Sequence, residues 1–149
     1  MELLIIVFLL GGLFLGWSLG ANDAANVFGT AVGTRMVQFK TAAIICSVFV
    51  ILGAIISGSG TTETLGKLGS INALPGAFSA CVAAGLSVYL MTKLGLPVST
   101  TQAIVGAIIG WNLYTGSSTN IQVLITILGT WVLCPITVSY THLTLPTKA

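Results

Sequence analysis

Long apolar stretches with almost no charge constrain this chain more than any other feature of its sequence. They cover residues 3–19, 41–56, 74–91 and 121–138. Only 5% of the 149 residues are charged and 55% are hydrophobic, whereas a typical soluble domain is about 25% charged. Water could not solvate such a surface. The sequence therefore predicts an all-α integral membrane protein that crosses the lipid bilayer several times.

Composition also excludes several classes of function. The net charge of +2 comes from scattered residues, so there is no basic patch for nucleic acid. The 3 cysteines form no CxxC pair, so neither a zinc site nor a disulfide framework is indicated, and we expect no cofactor. No His or Lys lies within an apolar stretch to act as a base for Ser99 or Thr100, so we predict that the chain is not an enzyme.

The few charged residues predict an orientation in the membrane. Arg35, Lys40 and Lys93 fall on one side of the predicted spans, and Lys67, offset by Glu63, falls on the other. Because cytoplasmic loops are enriched in Lys and Arg, Lys40 and Lys93 are expected in the cytoplasm and the N-terminus outside. We expect a multi-pass protein of the cell (plasma) membrane.

The first apolar region is too long for one straight crossing. As a single helix, residues 3–37 would extend about 52 Å at 1.5 Å per residue, against a hydrocarbon core of about 30 Å. Gly20 weakens a helix and Asn22 is a favoured N-cap residue. A broken first helix, interrupted at residues 20–23, is therefore expected.

A second polar segment predicts the start of a short helix. Ser99 follows Pro97 and is placed to cap a helix over residues 100–114, with Gln102 at the third position of a capping box. This helix would be about 22 Å long, so we predict a short half-helix or one arm of a re-entrant hairpin. Residues 57–72, which are rich in Gly and Thr, are predicted to form a loop.

These two segments suggest complementary chemistry. A helix start inside a membrane offers unpaired N–H groups to an anion, and the hydroxyls after Pro97 suit a tetrahedral oxyanion. The alternative is that Ser99 and Gln102 only cap a helix. Asp23 is the one acid inside an apolar stretch and, with Asn22 and Asn26, suits a hard monovalent cation or a proton. The alternative for Asp23 is an acid in the first turn of a helix.

The same segments resemble the signatures of a known family. GANDAAN at residues 20–26 and PVSTTQAIVG at residues 97–106 are similar to two signatures of the inorganic phosphate transporter (PiT) family. The resemblance implies symport of phosphate with sodium or protons by an inverted-repeat fold. It also implies phosphate binding by six residues, Asn22, Asp23, Ser99, Thr100, Thr101 and Gln102, and sodium binding by Asp23 and Asn26.

Two departures from the family qualify this interpretation. Gln102 stands where many members have His, which favours sodium over protons as the coupling ion. Family members are much longer and carry a second copy of the first motif. We therefore expect residues 1–138 to be the N-terminal repeat of a larger transporter, completed by a missing C-terminal half or a second subunit.

The polar tail at residues 139–149 has no family counterpart that we can place, and we expect it to be foreign sequence that follows a truncation. The alternative functions are a passive anion channel and a membrane-inserted fragment without activity.

Overall fold

The structure, a computed structural model, describes residues 2–69 and 74–144, and all the regular elements among them are helices. Four of the helices are long and apolar enough to cross a membrane, which confirms the predicted all-α membrane fold. The fourth helix along the chain has only 16 residues, about 24 Å, as expected for a short half-helix. The helices are α1 (Glu2–Gly33), α2 (Phe39–Leu68), α3 (Leu74–Lys93), α4 (Thr100–Thr115) and α5 (Ile121–Thr144).

The predicted break in the first helix is wrong. α1 runs without interruption for 32 residues, straight through residues 20–23. Gly20 and Asn22 each lower helix propensity by about 1 kcal/mol or less, which is smaller than the cost of leaving backbone N–H and C=O groups unpaired in lipid. The side chain of Asn22 bonds outside its own backbone, so it does not compete with the helical hydrogen bonds.

The predicted loop at residues 57–72 is also wrong over most of its length, because α2 continues to Leu68. The hydroxyls of Thr62 and Thr64 donate to backbone carbonyls four residues earlier, at 2.9 Å in both cases. Lys67 and Glu63 form an ion pair one turn apart, which supports the last turns of the helix. Residues 70–72 of the predicted loop lie outside the described residues.

α1 packs against α3, and the two helices run parallel. A Cβ at Gly11 would lie 2.7 Å from the Phe78 ring, and a Cβ at Gly85 would lie 2.8 Å from the Phe14 ring. Further along both helices, the ring centroids of Trp17 and Tyr89 lie 5.7 Å apart. These contacts occur in the same order along both helices, so α1 and α3 share one direction, and glycines allow their close approach.

α3 and α4 form an antiparallel hairpin. Gly76, at the start of α3, faces the Trp111 ring near the end of α4, with only 2.8 Å between the position of a Cβ and the indole nitrogen. The connection between the two helices spans residues 94–99 and lies against Asn22 of α1. Because α1 continues to Gly33, about 16 Å of it extends beyond the tip of the hairpin.

The small core at the opposite end joins α2, α4 and α5. Leu68, Val105 and Ile108 are buried there, and four residues of α5 pack against them, Val123, Leu124, Ile127 and Trp131. The N–H of Asn120 donates to the carbonyl of Leu68 at 3.0 Å, which fixes the start of α5 beside the end of α2. Elsewhere large apolar side chains are exposed, as is expected of a surface that faces lipid.

Candidate functional site

The start of α4 has the predicted cap. The N–H of Gln102 donates to the Ser99 hydroxyl at 3.3 Å, and Ser99 has an extended backbone conformation. A side-chain cap satisfies one of the free N–H groups at a helix start and leaves the others available. Thr101 is exposed, as are Ser99 and Gln102, whereas Thr100 is half-buried. The α4 start therefore presents hydroxyls and amide hydrogens on an accessible surface.

Asn22 ties α1 to the tip of the hairpin. Its side chain is buried, with 5% exposure. The amide nitrogen donates to Asp23 Oδ1 at 2.8 Å and to the Val98 carbonyl at 3.1 Å. The amide oxygen faces the Thr92 hydroxyl at 3.4 Å. One side chain thus connects the first motif with the end of α3 and with the segment that precedes α4.

Asp23 joins the two motifs directly. Its Oδ2 accepts a hydrogen bond from the Thr100 hydroxyl at 3.4 Å, across 77 positions of sequence. Within the described residues the only ion pair is that of Lys67 and Glu63, so the Asp23 carboxylate has no cationic side chain beside it there. We call Asn22, Asp23, Thr92 and Thr100 the hairpin-tip cluster.

The other predicted site residues lie around this cluster. Ser99 is adjacent to Thr100 and caps the same helix, while Thr101 and Gln102 follow on exposed positions of the first turn. Asn26 lies one turn beyond Asn22 on α1 and is exposed, and no hydrogen bond to the cluster reaches it. The structure therefore brings Asn22, Asp23 and Thr100 into contact and leaves Asn26 apart.

Sequence reasoning missed Thr92, and also Ser18, which is buried one turn before Asn22. Thr92 precedes Lys93 at the end of a predicted span, and a polar residue at that position does not by itself indicate a site. For Ser18 a signal did exist, because it is the one polar residue between Leu3 and Leu19 and shares a helix face with Asn22.

The ligand types at the site favour hard ions. No group of three or more His, Cys, Asp or Glu side chains that could hold a metal occurs in the part of the chain that the structure describes. The cluster offers an amide, hydroxyls and a single carboxylate, and such oxygen ligands do not select transition metals. A separate cavity of about 460 Å³ between α1 and α2 is lined by small apolar residues such as Ala24 and Ala42. No side chain that lines this cavity carries an oxygen ligand for a hard ion.

Comparison with known proteins identifies the family. The sequence profile of the phosphate transporter family matches residues 19–143, which include both motifs and all of the hairpin-tip cluster. The match extends past residue 138, where the predicted repeat ends, and α5 likewise continues to Thr144. No solved structure matches the chain at a significant level.

Individual relatives agree with the profile. A protein of Pyrococcus furiosus named as a phosphate permease is 36% identical over 143 residues, covering 89% of this chain and 35% of its own length. Similarly named proteins of Chlamydia pneumoniae and Haemophilus influenzae are 37% and 35% identical, covering 89% and 84% of this chain. They cover 34% and 32% of those proteins, so the chain spans about a third of the length of these relatives. It is a multi-pass integral membrane protein, and it belongs to the phosphate transporter family.

Proposed function

We propose that this chain forms part of a transporter that moves inorganic phosphate across the membrane together with a cation, with sodium preferred to a proton. The observation that carries the proposal is the hydrogen bond from Thr100 to Asp23. It joins the carboxylate in α1 to the first residue of α4, where amide hydrogens are free. An anion site and a negative side chain therefore lie side by side, and each affects what the other can bind.

The α4 start is the proposed phosphate site. The first N–H groups of a helix have no intrahelical partners, and the helix dipole places partial positive charge on them. The hydroxyls of Ser99, Thr100 and Thr101 and the amide of Gln102 add donors around this point. A tetrahedral oxyanion accepts many hydrogen bonds and suits such a set of donors. Asn22 holds the same segment in place through the Val98 carbonyl.

Asp23 supplies the reason for coupling to a cation. Phosphate and a carboxylate repel each other at short range, most strongly where water is scarce. A cation bound at Asp23 removes this repulsion, so phosphate and the cation bind best together. Asp23 and Asn26, which lie three positions apart on α1, are the proposed sodium ligands at this accessible side. The cluster holds no His, so a carboxylate is its only group that could carry a proton.

Phosphate uptake into proteoliposomes tests this function. Labelled phosphate is supplied with an inward sodium gradient, with a proton gradient, or with neither. The measurement is made on this chain and on a version extended to the length of its relatives. We expect sodium-driven uptake by the extended version, with unlabelled phosphate competing. Equal flux without any cation gradient would show a passive anion channel, and failure of unlabelled phosphate to compete would exclude phosphate as the substrate.

A further inference from the structure

An apolar groove lies between the second half of α1 and the first turns of α2. It is the cavity of about 460 Å³ described above, and its walls come from positions 20 to 33 of α1 and 39 to 46 of α2. Most of the α1 wall consists of Gly and Ala, and Ala25 and Gly29 are exposed in it. A concave apolar surface that remains open in this way marks a place where another molecule or segment binds.

The dimensions of the groove suit a hydrocarbon chain. Positions 20 to 33 of α1 extend over about 20 Å, so the volume corresponds to a mean cross-section of about 23 Å². An α-helix with its side chains is about 10 Å across, or about 80 Å², and does not fit inside. An acyl chain is much thinner, since nonbonded carbon atoms approach each other to about 4 Å.

The groove continues into a polar pocket at the turn between α1 and α2. This second cavity, of about 440 Å³, is lined by Arg35, Val37 and Gln38. It also shares Val32 and Phe39 with the groove. Because two residues line both cavities, one molecule can place an apolar chain in the groove and a polar group in the pocket. A phospholipid has this form.

The polar pocket attracts an anion. Arg35 is exposed, and its guanidinium has no ion-pair or hydrogen-bond partner among the described residues. No acid occurs between residues 24 and 62. The side chain of Gln38 does not cap α2, so the first N–H groups of that helix are free and carry partial positive charge. Lys40 in the first turn adds a second full charge. Together these groups complement the phosphate of an anionic headgroup.

The backbone at Arg35 supports a role for its side chain. Its φ is 60°, and no other non-glycine residue in the described part of the chain has a positive φ. Glycine adopts this conformation freely at the end of a helix, whereas a residue with a Cβ is strained there. Arginine is therefore less favourable than glycine for the turn itself, so the turn does not account for the arginine.

The pocket also lies on the side of the membrane where anionic lipids act on proteins. Because α1 and α3 run parallel, Arg35 after the end of α1 lies on the same side as Lys93 at the end of α3. Lys40, at the start of α2, belongs to this side as well. A side that carries three cations is expected to be cytoplasmic, and anionic lipids of that leaflet attract basic segments.

From these features we infer a binding site for one anionic phospholipid. An acyl chain occupies the groove between α1 and α2, and the headgroup phosphate binds Arg35, Lys40 and the free amides at the start of α2. None of the residues of the hairpin-tip cluster lines the groove, so the lipid site is separate from the site proposed for phosphate. It does not depend on the proposed function.

Thermal unfolding of the purified 149-residue chain in detergent micelles tests the site. Dioleoylphosphatidylglycerol or dioleoylphosphatidylcholine is added in increasing amounts, since these lipids have the same acyl chains and differ in headgroup charge. A ligand that binds only the folded state raises the unfolding midpoint. We expect phosphatidylglycerol to raise the midpoint of the native chain and phosphatidylcholine to raise it much less.

Arg35→Gly tests the headgroup pocket. This variant should need about fivefold more phosphatidylglycerol for half of the effect, whereas Arg35→Lys, which keeps the charge, should stay close to the native chain. Without lipid, Arg35→Gly should unfold no earlier than the native chain, because glycine relieves the backbone strain. Lys93→Gln is the matched control, since it removes a charge from the same side but outside both cavities, and it should respond as the native chain does.

Gly29→Leu tests the groove. Nothing lies within 4 Å of a Cβ added at Gly29, so the new side chain fits and fills the space of the acyl chain. Leucine is also a better helix former than glycine, so the variant should fold and yet lose its response to phosphatidylglycerol. Gly53→Leu makes the same change at an equally open position of α2 outside the groove, and should keep the response.

Several outcomes would overturn the lipid site. Equal stabilisation by both lipids, or an equal loss in Lys93→Gln and Arg35→Gly, would show that no specific headgroup pocket exists. Stabilisation by inorganic phosphate alone that Arg35→Gly abolishes would assign the pocket to a free anion. If Gly29→Leu dissociates an oligomer, a second copy covers the groove. If the chain extended to the length of its relatives shows no response to phosphatidylglycerol, the added part covers it.

Discussion

The two signature motifs reach the same place through opposite backbone conformations. The first lies in the middle of α1, where every backbone amide is within an uninterrupted helix, so it contributes side chains only. The second begins α4 after Ser99 and therefore contributes free amide hydrogens as well. The anion site is thus a property of the second motif, and the first motif supplies charge, orientation and support. The same division appears in burial, because Asn22 is buried while Ser99 is exposed.

The largest expected effect comes from removing the charge of the first motif. Asp23→Asn keeps the shape of the side chain but abolishes the charge that balances a cation. We expect sodium-driven phosphate uptake by the extended transporter to fall to the level of empty vesicles. Glu63→Gln is the control, since Glu63 pairs with Lys67 and has no contact with the cluster. Undiminished uptake by Asp23→Asn would mean that the first motif serves structure alone.

A smaller effect is expected from removing the link between the motifs. Asn22→Ala deletes the buried amide that bonds Asp23 and Val98 and leaves the part-buried Val98 carbonyl without this donor, which should lower the free energy of unfolding by about 3 kcal/mol. Asn26→Ala, at an exposed position one turn away, should change it by about 0.5 kcal/mol or less. Unfolding in mixed detergent measures both. Similar losses for the two variants would contradict the division between a buried and an exposed asparagine.

Close packing between α1 and α3 holds the α3–α4 hairpin against α1. At Gly85 an added Cβ would meet the Phe14 ring at 2.8 Å and the backbone of Leu15 at 3.2 Å. Because the packed Phe14 ring must shift to make room, Gly85→Ala should cost about 2 kcal/mol. Gly106→Ala, where nothing lies within 4 Å of the new methyl group, should be neutral or stabilising. The same unfolding assay measures both variants. If Gly106→Ala lost stability and Gly85→Ala did not, close packing between α1 and α3 would not be what limits Gly85.

The smallest effect is expected at the cap of the second motif. Ser99→Ala removes the acceptor for the Gln102 N–H and should cost about 1 kcal/mol of stability. Its phosphate affinity should fall by a larger factor than its response to sodium, because Ser99 serves the anion side. Ser57→Ala, in the exposed middle of α2, is the control. An equal loss of phosphate and sodium binding would show that the two sides cannot be separated in this way.

Much of this arrangement could be predicted from sequence. Apolar stretches located all four long helices, and the Pro97–Ser99 pattern located the start of α4 within one residue. The helix ends were less predictable. The Gly, Thr and Ser residues in the last third of α2 predict a loop. In the structure the hydroxyls of Thr62 and Thr64 donate to carbonyls of the same helix. In lipid the need to pair backbone groups outweighs the weak preferences of single residues.

The sequence predicted several residues of the site, but it did not predict how they are arranged. Asn22, Asp23 and Thr100 could be named from their motifs, and they meet. Thr92 could not be singled out, because the role of a lone hydroxyl depends on which residues lie beside it in the fold. The close contacts of Gly85 and Gly76 in α3 with neighbouring helices likewise depend on which faces of the helices meet.

The order of apolar and polar residues by itself determined that this chain is a helical membrane protein, which of its residues could hold an anion or a cation, and where α4 begins. Those properties follow from local chemistry, since burial in lipid demands apolar runs and a helix start demands a cap. Only the tertiary structure decided that α1 stays unbroken and runs parallel to α3, and that Asn22 faces Thr92 while Asn26 does not. These outcomes depend on contacts between residues some 70 positions apart, and no local pattern specifies which faces of two helices will meet.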